Sequence, residues 1–472
     1  MKIFIKNNIK LSNIPLELRQ ILVRSLTIPN PKWIENNRMG RWNGKTPENL
    51  CFYQETNDDG LILPRGFARQ LILLCRKKSV DYEIDDHRRS LSPVEFNFTG
   101  RLKSFQQVAV DTMLKKDFGT LNAPTGAGKT VMALYMIARR KQPALVLVHT
   151  KNLAFQWVER IENFLNIPAD KIGFIGGGKQ NIGKEITVAL VQSIYKRTDE
   201  VISHIGHLIV DECHRTPSRT FTEAVSAFDS KYALGLSATL FRRDKLSKLI
   251  FWHLGDTHHQ VDKSRLIENG DILSAEVIIR KTEFRPFYNP AREYTKMISE
   301  LVSDDQRNRL IASDVAEEVR HGKGVCLILS DRKNHCETLQ ALLRYKFKIP
   351  SELLTGDIGN TRRLEIMDRL NRGEIKVLVA TGQLIGEGFD CRNLSTLFLA
   401  TPVRFSGRVI QYLGRILRPA PGKEKARVFD YVDIHVDVLR AAAHARQEVY
   451  GMDSTPWNPD KHANHVDMNY AL

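Results

Sequence analysis

The chain has 472 residues and carries 70 Lys and Arg against 54 Asp and Glu, a formal charge of +16. That length exceeds what one hydrophobic core holds, so two to four domains are expected. Six scattered cysteines without a Cys-x-x-Cys pair argue against a disulfide framework or a zinc finger, and no apolar run approaches the ~20 residues of a membrane span.

The first six residues, Met1-Lys2-Ile3-Phe4-Ile5-Lys6, alternate like a strand and carry no cleavage pattern. A cytoplasmic or nucleoid-associated protein with no membrane partner is therefore expected. The positive excess runs through the N-terminal, middle and C-terminal parts of the sequence alike, which suits a long polyanion crossing several domains.

Residues 1–97 read as a small α+β accessory domain, with strands at Lys2–Ile5 and Leu50–Gln54 and helices at Pro15–Ser25 and Gly66–Lys77. Within it, Arg38, Arg41 and Lys45 interleave with glycines and Trp42 as in loops that contact phosphates. Trp42 itself is expected to anchor the core, and Asp81–Arg89 to be a charged linker.

A first lobe is placed at 98–283. A helix opening at Arg101 brings Gln106, whose amide can donate to and accept from an adenine edge. The strand-like run Phe118–Asn122 leads into Ala123-Pro124-Thr125-Gly126-Ala127-Gly128-Lys129-Thr130 and then an apolar helical run. Strand, glycine-rich loop and helix N-terminus are what a phosphate site needs. Lys129 is expected to reach the β- and γ-phosphates of ATP, and the Thr130 hydroxyl to hold Mg²⁺. The buried-strand run Ala144–Val148 ends in His149-Thr150, and Thr187–Val191 ends in Gln192-Ser193. The run His207–Val210 ends in Asp211-Glu212-Cys213-His214. There Asp211 is placed to hold Mg²⁺, Glu212 to orient the attacking water and His214 to couple the nucleotide to the next element. That element, Tyr232–Leu236, ends in Ser237-Ala238-Thr239, whose two hydroxyls are expected to bond the Asp211–His214 loop. His253, His258 and His259 have no metal-ligand spacing.

Taken together, these motifs and the later Gln411-Tyr412-Leu413-Gly414-Arg415-Ile416-Leu417-Arg418 resemble those of the superfamily 2 helicases with an Asp-Glu-x-His box, over roughly residues 98–440. Within the superfamily they are most similar to the UvsW/XPB group, and Arg41-Trp42-Asn43-Gly44 resembles part of the N-terminal DNA-binding domain of UvsW members. The resemblance implies two RecA-like parallel-sheet lobes in tandem.

Residues 284–300 are expected to link the lobes, and 284–450 to form the second, an alternating α/β region without a phosphate loop. Its strands end in Ser330, Thr355 and Thr381. The resemblance makes Thr381 a contact to the nucleic-acid backbone and gives Gly388 and Asp390 to the nucleotide, Asp390 at the ribose. Gln411, Arg415 and Arg418 lie on a helix whose two arginines, three apart on one face, are candidates for the γ-phosphate. Residues 451–472 read as a polar tail. The expected activity is an ATP-dependent DNA helicase or translocase, monomeric on DNA, acting on branched or forked DNA. Thr150, Gln192, Ser193, Ser330, Thr355 and Thr381 would hold one strand. An RNA or RNA–DNA hybrid helicase, a double-strand translocase that never separates strands, and an ATP-gated clamp are the alternatives.

Overall fold

The computed structural model describes residues 1–195, 197–215, 218–238, 247–322, 324–382, 391, 393–403, 406–420, 423, 425–450 and 466–467. These fall into two compact units, Met1–Pro124 with Gly128–Val261, and Thr125–Ala127 with Asp262–Leu472. Among the described residues no helix is long and apolar enough to cross a membrane.

The first unit starts with a small sheet. Strands β1 (Lys2–Ile5) and β2 (Asn8–Ser12) form a hairpin, β3 (Thr27–Pro29) pairs separately with β4 (Asn49–Cys51), and β5 (Gln54–Glu55), β6 (Leu61–Pro64) and β7 (Glu83–Asp86) complete the order β5-β6-β2-β1-β7. Ile3, Ile5, Ile9 and Leu11 repeat at a spacing of two and face inward, onto the helices Leu16–Ser25 and Ala68–Lys77. The same core takes in Leu249 and Trp252 of the helix Lys248–Leu254. A Cβ at Gly66 would stand 2.3 Å from the Phe251 carbonyl oxygen and 2.5 Å from the Gly255 nitrogen, so only glycine permits this approach. Arg65, 3% exposed, donates to the carbonyls of Phe228 and Ser230 at 3.2 and 2.8 Å. The segment expected to be a linker is structured instead. Glu83–Asp86 runs parallel to β1, and Arg89 grips Asp229 at 2.8 Å. Charge alone misled there, because an edge strand tolerates a mostly charged sequence such as Glu83-Ile84-Asp85-Asp86.

The next sheet has the order β11-β10-β12-β9-β13-β14-β8-β15. Its strands are β8 (Phe118–Asn122), β9 (Ala144–Val148), β10 (Gly173–Gly176), β11 (Lys179–Asn181), β12 (Ile186–Leu190), β13 (His207–Val210), β14 (Tyr232–Ser237) and β15 (Thr257–Gln260). All neighbours are parallel except the β10–β11 hairpin. The central strands β9, β12 and β13 are buried along their whole length. This is why their sequences are unbroken apolar runs rather than alternating ones.

The second unit holds β16 (Ala275–Thr282), β17 (Val325–Ser330), β18 (Glu352–Leu354), β19 (Val377–Thr381), β20 (Leu394–Leu399), β21 (Ala426–Asp433) and the short β22 (Val466–Asp467), in the order β18-β19-β17-β20-β21-β16-β22. Only β22 runs antiparallel to its neighbour. Both sheets are thus the parallel α/β lobes the sequence leads one to expect.

The expected boundary at 283 differs from the structure. β16 pairs with β21 over eight residues, and Ala275 and Val277 join the core of the second sheet. The supposed linker 284–300 contains most of a helix, Tyr294–Ser303, whose Met297, Ile298 and Leu301 pack on Val436 and Leu439. Apart from Val466–Asp467, the expected polar tail lies outside the described residues.

Candidate functional site

Parallel strands deliver their carboxyl-terminal loops to one edge of a sheet. In the first unit β9, β13, β14 and β8 are consecutive neighbours. The segments that follow β8 (123–128), β13 (211–214) and β14 therefore share that edge.

The loop after β8 bends through Gly126 and Gly128, with φ of +93° and +80°. Gly128 is the left-handed residue immediately before the helix Lys129–Arg140. A Cβ there would meet the Gln106 Nε2 at 2.5 Å, so the glutamine amide packs directly on the loop. Its Oε1 accepts from the backbone N–H of Lys103 at 2.9 Å, closing the start of the helix Ser104–Leu114. Gln106 therefore supports the loop and its own helix. Ala123 is fully buried and Pro124, Thr125 and Thr130 are half-buried, while Gly126 is exposed and Ala127 is 2% exposed. Lys129 Nζ folds back to the carbonyl oxygens of Ala123 and Pro124 at 3.0 and 3.5 Å.

Asp211 follows β13 and is 5% exposed. Its Oδ2 accepts from the indole N–H of Trp157 at 2.8 Å, and its Oδ1 from the backbone N–H of Glu212 at 2.8 Å. Each oxygen keeps a second acceptor direction. Burial and the neighbouring Glu212 push the Asp211 carboxyl up to about 6, against the downward pull of the Trp157 hydrogen bond and the Lys129 charge. Such a group gains from an added cation, since a divalent ion restores the ionised form that burial disfavours. Glu212 has a left-handed backbone, φ +48°. That turn returns its N–H to Asp211 and carries its carboxylate to 3.3 Å from His214 Nδ1. The same His214 nitrogen lies 2.8 Å from the Ser237 hydroxyl at the end of β14, and both residues are buried. The chain from carboxylate to imidazole to hydroxyl thus crosses two adjacent strands. Thr239 lies outside the described residues. Cys213 is fully buried, and burial raises its thiol far above the usual range, so it fills space.

Trp157 is the member of this cluster that its position in the sequence does not reveal. It sits in the helix Lys151–Leu165, 1% exposed. A buried indole must find an acceptor for its N–H, and that requirement was the one available signal.

Of the residues expected to hold a strand, Thr150 accepts from Leu153 N–H at 3.4 Å as the cap of the same helix. Gln192 is exposed and donates to the His149 carbonyl at 3.2 Å, and Ser193 is half-buried beside it. In the second unit Thr381 is half-buried at the end of β19. Two expectations there need correction. Ser330 is 1% exposed and its hydroxyl is engaged by His335 Nδ1 at 3.0 Å and by the backbone of Arg332. Thr355 is 3% exposed. Neither side chain is presented at a surface. The helix carrying Gln411 is Ser406–Ile416, so Arg418 lies just past its end rather than on one helical face with Arg415. Both arginines are half-buried. Lys423 Nζ satisfies the carbonyls of Ile416 and, at 2.9 Å, Arg418, and burial lowers it to about 8. Gly388 and Asp390 lie outside the described residues.

In the N-terminal part Trp42 is 92% exposed, not a core anchor, and Arg38, Arg41 and Lys45 of the same segment are exposed too. The histidines near residue 255 are structural. His253 meets the Ser226 hydroxyl at 3.0 Å, and His258 the Phe118 carbonyl at 3.2 Å. No group of three His, Cys, Asp or Glu among the described residues is arranged to hold a metal ion. A cation at Asp211 would therefore be shared with a hydroxyl and a ligand's own oxygens.

The restriction-enzyme family described as "Type III restriction enzyme, res subunit" matches residues 99–242, and the "Helicase conserved C-terminal domain" matches residues 310–420. A protein of Acanthamoeba polyphaga mimivirus, provisionally named an ATP-dependent RNA helicase, is 28% identical over 376 residues, 75% of this chain and 69% of its own. The DNA 3'-5' translocase XPB2 of Sulfurisphaera tokodaii is 27% identical over 382 residues, 73% of this chain and 85% of its own. The ATP-dependent DNA helicase uvsW of Enterobacteria phage T4 is 23% identical over 435 residues, 86% and 83% of the two chains.

Proposed function

The chain belongs to superfamily 2 of the helicases, in the group that holds XPB and UvsW, and from that membership we propose that it is an ATP-driven motor on DNA, working at branched or forked junctions. The observation that carries this reading is the buried Asp211, held by Trp157 within reach of the Lys129 charge and followed at once by Glu212.

In this reading Lys129 leaves the Ala123 and Pro124 carbonyls for the β- and γ-phosphates, an exchange of weak acceptors for charged ones. Thr130 and Asp211 would hold Mg²⁺, which when bound neutralises charge on the phosphates. Glu212 orients the attacking water, and His214 passes the state of that carboxylate to Ser237. Arg415 and Arg418 are assigned to the γ-phosphate, because the second lobe has no phosphate loop of its own and a motor needs its lobes to share one nucleotide. Exposed Gln192 and half-buried Thr150, Ser193 and Thr381 remain as strand contacts.

The test is ATPase and unwinding on single strand, blunt duplex, fork, four-way junction and RNA–DNA loop, each across a salt series. Lys129→Ala should abolish stimulated hydrolysis, and activity retained in a pure sample would refute the assignment. Arg418→Ala should cut turnover by roughly 10³-fold or more with ATP affinity nearly kept. Stimulation by RNA alone would favour the name carried by the mimivirus relative, and stepping on blunt duplex without strand separation would make the protein a translocase.

A further inference from the structure

Residues 30–48 contribute to none of the hydrophobic cores seen among the described residues. The helix Pro31–Arg38 buries none of its residues, and Ile34, Met39 and Trp42 are 51, 52 and 92% exposed. Apolar packing does not hold this projection in shape; hydrogen bonds do. At its base β3 pairs with β4, and Asn30 bonds Pro47 and Glu48 at 2.8 Å each. At its tip Asn36 donates to Asn43 at 3.1 Å, Asn43 donates to Asn37 at 2.6 Å, and the Asn36 carbonyl accepts from Arg41 at 2.8 Å. Gly40 and Gly44 take left-handed backbone, φ +62° and +53°, as the tight turns require. A Cβ on Gly44 would lie 3.3 Å from Trp42 Cζ3, so the indole rests on the glycine on one side only.

The result is an ordered scaffold that displays one large aromatic ring to solvent. Folding alone gives no reason for it, since a tryptophan left in water forfeits most of the burial energy its ring offers. The exposed charges of the same segment name the occupant. Lys32, Arg38, Arg41 and Lys45 are all exposed, none is ion-paired among the described residues, and they outnumber Glu35 and Glu48 in the same segment.

We infer that residues 30–48 are a nucleic-acid-binding projection in which Trp42 stacks on an unpaired base while Lys32, Arg38, Arg41 and Lys45 hold the flanking phosphates. An open aromatic face among unpaired cations matches a base and its backbone, because every base has a stacking surface and every nucleotide a charge. A duplex interior offers no such face, so the site takes single strand or the unpaired arm of a fork. This inference rests on the reading of the chain as a nucleic-acid motor and adds to it the element that distinguishes a fork from plain duplex.

The experiment measures binding of the whole protein, without nucleotide, to a labelled single-stranded oligonucleotide, a fork and a blunt duplex over a salt series. Trp42→Ala should weaken single strand and fork by about 5- to 150-fold, the span of one aromatic–base stack, and blunt duplex far less. Trp42→Phe should bind within a few-fold of the parent and Trp42→Leu as poorly as alanine, because stacking needs the ring. Replacing Arg38, Arg41 and Lys45 together by glutamine should reduce the slope of log affinity against log salt by roughly 2–3. Trp42→Ala binding the fork as well as the parent overturns the inference. So does Trp42→Leu restoring it, which would mark a plain apolar contact. Failure of the motor reading itself would appear elsewhere, as a parent protein whose ATPase no nucleic acid stimulates.

Discussion

Replacing Trp157 by phenylalanine keeps a buried aromatic ring beside Asp211 and removes only the N–H that donates to Oδ2 at 2.8 Å. A hydrogen bond to a charged group contributes about 1.5–3 kcal/mol. At about 1.4 kcal/mol per pKa unit, losing it raises the carboxyl by about one to two units. Asp211 already stands at about 6, so it would titrate at about 7–8 in the variant. The ionised fraction at pH 7 then falls from about nine-tenths to between about one-half and one-tenth. The expected result is a 2- to 10-fold lower kcat/KM for stimulated ATP hydrolysis at pH 7 by the same arithmetic. The loss is recovered near pH 9, with the acid limb of the profile moved to higher pH. The kcat/KM profile is the right readout because it reports the free enzyme. An acid limb that does not move in Trp157→Phe would show that the indole bond does not set the charge on Asp211, and the argument from geometry to ionisation would fail.

Three further outcomes are expected. Asp211→Asn should abolish turnover. Because the folded carboxyl sits above its ordinary value, the parent loses stability as pH rises from about 4 to 6, by on the order of 2–3 kcal/mol. The amide removes that pH dependence while setting its NH2 against the N–H of Trp157 or Glu212. A variant whose thermal midpoint falls between pH 4 and 6 as much as the parent's would contradict this. Gly66→Ala drives a Cβ against the backbone of Phe251, Trp252 and Gly255. It should cost about 1–3 kcal/mol or more and expose residues near Arg89 to limited proteolysis, so an unchanged digestion pattern would argue against that tight seating. Ser237→Ala removes the hydroxyl at 2.8 Å from His214. The ratio of stimulated to unstimulated ATPase should fall roughly fivefold or more, the worth of one hydrogen bond near 1 kcal/mol, and a ratio equal to the parent's would remove His214 from the coupling path.

The parts legible in the sequence were those written locally. Buried parallel strands read as apolar runs, and the strands ending at Asn122, Val210 and Ser237 deliver the loop, the carboxylates and a hydroxyl. Hidden were the choices made across the chain. Nothing near Trp157 says that its partner lies fifty-four residues later. Position at a strand end marked Ser330 and Gln192 alike, yet the first hydroxyl is consumed by His335 while the second amide is exposed, a difference set by neighbours. Trp42 was misread because aromatic rings usually signal a core, and only three dimensions show the ring 92% exposed on a hydrogen-bonded scaffold. The boundary drawn at 283 left β16 with the wrong lobe because no motif marks residues 275–282, and the pairing with β21 decided the matter.

The seam formed by Gly66, Arg65 and Trp252 carries a mechanical implication. With backbone against backbone and an arginine sealed beneath, the opening hundred residues are welded to the lobe that follows rather than hung from it by a tether. Any excursion that lobe makes during a catalytic cycle therefore takes the seated domain with it, as a plough blade follows its frame.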